Sequence, residues 1–87
     1  MIDKTKNPEF LNSFLDYSSV ILNKSPNTIK EYNYDLVNFL KFTKHHLGKT
    51  TEKDFSNINI TDISIEDIKE LKLNDLHSYL AYLKDYH

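Results

Sequence analysis

Residues Lys24–Leu36 read KSPNTIKEYNYDL, and the opening of that stretch fixes where a helix begins. Ser25 offers a side-chain oxygen that can accept the N–H of Thr28, the third helical residue. Pro26 then falls at the first helical position, where its missing N–H costs nothing and its φ is already helical. Downstream, Gly48 follows Leu47 and supplies a left-handed position of the kind that closes a helix. These two signals predict a helix over 26–47. Within it, Ile29, Tyr32, Leu36, Phe39, Leu40 and Leu47 fall in an arc of roughly 100°, which predicts the buried stripe.

Working outward, Pro8 precedes an amphipathic stretch predicted as a helix over 9–22. There Phe10, Leu11, Phe14, Leu15, Tyr17, Ile21 and Leu22 share an arc of roughly 160° that faces the core. Residues 49–63 keep no sustained period and read as a long surface loop with a turn near Phe55. Ser64-Ile65-Glu66-Asp67 matches a capping box with Asp in place of Glu, opening a short helix over 65–70. A last helix over 73–86 places Leu73, Leu76, Leu80 and Leu83 at spacings of three and four, the pattern of a buried stripe. The fold class that follows is all-α, a small helical bundle forming one domain over 1–87.

Composition bounds the function. The chain has 87 residues, a net charge of −2 and no cysteine, so disulfides and thiolate metal sites are out of reach and a reducing, cytoplasmic setting is expected. No apolar run approaches the length of a membrane span or a secretory signal. All eleven basic residues are lysine, which removes any guanidinium fork for phosphate or carboxylate. The charge is uneven: residues 1–22 carry −1, residues 23–51 carry +3 and residues 52–87 carry −4.

On the helix over 26–47 that charge also separates by face. With Ile29 at zero, Lys30, Tyr34, Lys41 and His45 lie between about 100° and 160°, Lys44 lies at about 60°, and Glu31 and Asp35 lie on the opposite flank. Lys30 and Lys41 are three turns apart, a line of ~16 Å. Such a line can follow a phosphate backbone; it can equally be a solvated helix face. The helix start crowds Lys24, Ser25, Asn27 and Thr28 around free backbone N–H groups, a place for an anion beside the plain capping role of Ser25.

Other constellations read as structural. His45 and His46 are adjacent and point about 100° apart on a helix, so they cannot face one metal; His77 and His87 have no carboxylate partner at helical spacing. No metal or other cofactor is expected. Glu66, Asp67 and Glu70 gather at a helix start, where the dipole favours them. Tyr79, Tyr82 and Tyr86 form a semi-exposed seam on the last helix, expected to pack against a further helix or a partner domain.

Ser25-Pro26-Asn27-Thr28, Tyr32, Asp35-Leu36, Phe39-Leu40 and Phe42 together resemble the S-x-N-T-x-x-x-Y-x-x-D-L-x-x-F-L-x-F pattern of tyrosine recombinases of the phage-integrase and Xer type. The resemblance is to their N-terminal core-binding domain, a SAM-like orthogonal bundle, and covers roughly residues 8–86. It implies a non-catalytic module that grips double-stranded DNA, while a C-terminal catalytic domain of the same parent performs DNA recombination as a tetramer on DNA. By position and by the basic flank, it nominates Lys24, Ser25, Asn27, Thr28, Lys30, Asn33, Tyr34, Lys41 and Lys44 as DNA contacts. The family's tyrosine nucleophile works with arginines, so no catalytic residue is expected in an arginine-free chain. Two departures stand out: Asn33-Tyr34 occupies positions where the family commonly carries arginine, and a further, often basic, helix of the family's domain is absent. A fragment of a longer recombinase, monomeric by itself, is the expectation. The rival reading is a helical protein–protein module whose acidic final third is the working surface.

Overall fold

The computed structural model describes residues 2–86, with side chains for residues 2–84. Its elements are a 3-10 turn (Lys4–Lys6), α1 (Glu9–Val20), α2 (Pro26–His46), a second 3-10 turn (Phe55–Asn57), α3 (Ile65–Lys69) and α4 (Leu73–Tyr86). Among the described residues there is no strand, so the all-α reading holds, with boundaries within two residues of those expected.

The start of α2 forms as the sequence requires. Ser25 Oγ accepts the Thr28 N–H at 3.2 Å, and Pro26 sits in the first turn. At the other end Gly48 takes φ +72°. The Gly48 N–H donates to the His45 carbonyl at 3.1 Å and the Lys49 N–H to Lys44 at 3.0 Å, the two bonds of a Schellman motif. α1 stops two residues early because Asn23 enters the left-handed region at φ 53° and the Lys24 N–H turns back to the Ser18 carbonyl at 3.0 Å. The capping box of α3 is present, the Ser64 N–H donating to Asp67 Oδ2 at 2.9 Å.

α1 and α4 both pack on α2. The core gathers Leu11 and Leu15 of α1, Ile29 and Leu40 of α2, and Ile58, Ile60 and Ile63 from the segment before α3. That last group corrects the reading of 49–63 as a surface loop. Its three isoleucines are 2–5% exposed, because Ile58 and Ile60 point the same way along extended backbone and plug the space that short helices leave open. The wide arc assigned to α1 is also too generous. Leu11 and Leu15 are buried, whereas Phe14, Tyr17, Ile21 and Leu22 stay exposed.

α4 turns a different face inward from the one its leucines indicate. Leu73, Leu76 and Leu80 are exposed, and Leu83 is half-buried. The inward side carries Tyr79, edge-on to Phe39 at 4.9 Å and near Phe42 at 5.1 Å, and Tyr82, 5.4 Å from both Phe42 and Phe55. The rings decide the face because α2 presents Phe39 and Phe42 here, and ring–ring contact adds to the area each ring buries. The tyrosine seam expected at the surface is therefore the docking face for Tyr79 and Tyr82; the side chain of Tyr86 lies outside the described set. A clasp reinforces the contact: His46, stacked on Phe42, meets Asp75 at 2.6 Å.

Candidate nucleic-acid interface

The nine nominated residues divide into an open group and an engaged group. At the mouth of α2, Lys24, Ser25 and Asn27 are exposed and Thr28 is partly so. The Ser25 hydroxyl meets the Thr28 hydroxyl at 3.0 Å, which ties both side chains to the cap. One turn on, Lys30 is exposed and Tyr34 is 61% exposed. Among the described residues neither Lys24 nor Lys30 takes part in an ion pair. Two ammonium groups, hydroxyls, the Asn27 side-chain amide and the Asn27 N–H, which the Ser25 cap leaves over, are thus available at this end of the helix, a donor-rich surface suited to phosphate oxygens. Glu31 and Asp35 border Lys30 and Tyr34 on one side, so the positive field is confined to the other.

Asn33, Lys41 and Lys44 are engaged with the protein itself. Lys44 is 11% exposed at its side chain, and its ammonium donates to the Asn59 carbonyl at 2.6 Å and to Asp62 at 2.7 Å. Lys41 reaches the Ser56 carbonyl at 3.5 Å. The distal half of the basic flank is therefore roofed by residues 56–62. Asn33 Oδ1 accepts from Asn7 Nδ2 at 2.8 Å, and the same Asn7 amide donates to Asn12 at 3.2 Å. The chain around the first 3-10 turn is thereby fastened to α2. It was not legible as part of the surface, because the amides that fasten it are far apart in sequence.

The remaining clusters are structural. Lys49 bridges Asp67 at 3.1 Å and Glu70 at 3.2 Å. The Ser64 N–H, then the Lys49 ammonium, hold the Asp67 carboxyl below its ordinary range. Asp75 is held low by the Lys72 N–H and then by His46. Burial raises the Tyr79 phenol. His45 lies against Phe55 with ring centres 5.1 Å apart, and His87 lies outside the described residues. Among the described residues no group of three or more His, Cys, Asp or Glu side chains is placed to hold a metal, and no helix is long and apolar enough to cross a membrane.

On the side of α2 away from residues 56–62, Phe10, Phe14, Leu36, Phe39, Ile65 and Ile68 line an apolar groove of about 390 Å³. Leu36 and Phe39 also line a neighbouring hollow with Tyr79 and Leu83. Apolar surface therefore runs from α1 across α2 to α4.

No protein-family model matches the chain, and no solved structure matches it. Among curated proteins it is similar to the tyrosine recombinase XerC of Caldanaerobacter subterraneus subsp. tengcongensis, at 41% identity over 83 residues. That alignment takes in 94% of this chain and 24% of the recombinase, so the chain spans about a quarter of the length of the relative it matches. Over nearly its whole length the chain is thus related to a domain-sized part of a tyrosine recombinase.

Proposed function

We propose that this chain is a DNA-binding, non-catalytic domain of a tyrosine recombinase and that it grips duplex DNA with the mouth and first two turns of α2. The observation that carries the proposal is the open donor group at Lys24, Ser25, Asn27, Thr28, Lys30 and Tyr34, standing on a chain similar to a recombinase over 94% of its length. The lysines neutralise phosphates, and Asn27, Thr28 and Tyr34 offer hydrogen bonds to the backbone or a groove edge. Lys41 and Lys44 contribute through the loop they hold rather than by reaching outward. Strand cleavage belongs to another part of a longer parent, acting in the cytoplasm, because the arginine-dependent chemistry of the resembled family has no counterpart among eleven lysines.

The apolar surface over Leu36 and Phe39 supports a second part of the same proposal. It is where a further helix of the parent packs, which leaves the opposite flank for DNA. A rival role as a protein–protein module would place the working surface on α3 and α4 instead. Fluorescence anisotropy with a labelled duplex of recombination half-site length, at low salt, separates the two. Lys24→Glu/Lys30→Glu is expected to abolish binding, while Lys69→Glu on α3 leaves it near wild type. Equal loss from both variants would count against α2 as the contact.

A further inference from the structure

A cleft of about 570 Å³ opens beside α2, between the N-terminal segment and residues 56–61. Asn33, Val37 and Lys41 line it from α2, Lys6 and Asn7 from the N-terminal segment, and Asn57 and Asn59 from the loop. Asn33 ties these parts together. Its Oδ1 is engaged by the Asn7 amide at 2.8 Å, which leaves its own NH₂ as the donor for the cleft. Asn7 is 8% exposed and bonded to two partners, so the segment that carries Lys6 is fixed in place. Lys4 faces away, paired with Asp16 of α1. Lys6 is exposed and, among the described residues, makes no ion pair. The acidic group that feels its charge, Asp3, already accepts the Thr5 N–H at 3.1 Å and the Thr5 hydroxyl.

From this arrangement we infer that the N-terminal segment is an accessory arm of the DNA-binding surface, with Lys6 and the Asn33 NH₂ holding a backbone phosphate at the mouth of the cleft. The inference rests on the proposed grip by α2 and extends it to a residue outside the helix. It also gives Asn33 a role at a position where the resembled family commonly has arginine. By holding Asn7, Asn33 keeps the backbone next to Lys6 at the edge of the cleft. Asp3, Lys6 and Lys41 all line the cleft, so its charged lining sums to only +1, and Asp3 offsets the charge of Lys6 beside it. The phosphate is therefore held as part of a docked duplex, and a free anion has little to hold it.

The test uses the same duplex at several salt concentrations, with Lys6→Ala and, as an exposed lysine outside the cleft, Lys53→Ala. Removing one phosphate contact should lower the slope of log K against log salt by about 0.9, so the wild-type advantage shrinks about 3.5-fold between roughly 50 and 200 mM salt. Lys53→Ala should keep the wild-type slope. Asn33→Asp retains the acceptor for Asn7 and should weaken binding with unchanged circular dichroism. A Lys6→Ala slope equal to wild type, beside a reduced slope for Lys30→Ala, would overturn the accessory arm and leave the α2 grip standing. Absence of any salt-dependent duplex binding by the wild type would overturn both. Titration with inorganic phosphate alone should leave the Asn33 side-chain amide signals unmoved; a saturable shift would instead identify a free-anion site and overturn the inference.

Discussion

Ile60 offers a direct test of how this small fold is held together. It is 2% exposed and sits in the core with Leu11, Leu15 and Leu40, although it belongs to a segment that looks like a loop. A domain of this size has a total stability of only about 4–13 kcal/mol. A full truncation to alanine, at about 2–5 kcal/mol, could remove most of that. Ile60→Val is the sharper perturbation: one methylene lost from a close-packed site costs about 0.5–1.5 kcal/mol. With roughly 4–8 °C per kcal/mol for a domain of this length, the midpoint of thermal unfolding should fall by about 2–12 °C. Urea unfolding should show a lower midpoint with an unchanged slope. Ile65→Val is the control, since Ile65 is 47% exposed and should shift stability by no more than about 0.5 kcal/mol. Equal effects from the two valines would refute the assignment of residues 58–63 to the core.

Three further outcomes follow from the same geometry. Ser25→Ala removes the acceptor for the Thr28 N–H and should cost about 1 kcal/mol, read by chemical denaturation. Lys44→Met removes the ammonium that holds the Asn59 carbonyl and Asp62; hydrogen exchange should quicken at residues 59–63 before it does so in α1. Asp75 has a folded pKa below its unfolded value of 3.8. The stability it contributes is complete above that value and is lost as pH falls through the lower folded value. Acid unfolding followed by circular dichroism should therefore be shallower in Asp75→Asn than in wild type over that window.

Helix limits were legible because their signals are local: a Ser-Pro start, a glycine stop and a capping box each act within a few residues. The inward face of α4 was not, because its leucine spacing is a good helical stripe and only the placement of Phe39 and Phe42 opposite shows that Tyr79 and Tyr82 win. The burial of Ile58, Ile60 and Ile63 was hidden for a related reason. An extended plug has too few residues to show a period, and its partners are remote in sequence. At the candidate site, the open mouth of α2 was readable from Ser25, Asn27 and Lys30 alone. The fate of Asn33 and Lys44 depended on Asn7, Asn59 and Asp62, which no helical projection brings near.

The grip of α2 on DNA is the central claim, and amide chemical-shift mapping tests it most directly. In a low-salt titration of the isotope-labelled chain with duplex DNA, the account predicts saturable shifts clustered at Lys24–Tyr34, with α3 unmoved. Shifts confined to residues 62–86 would contradict it.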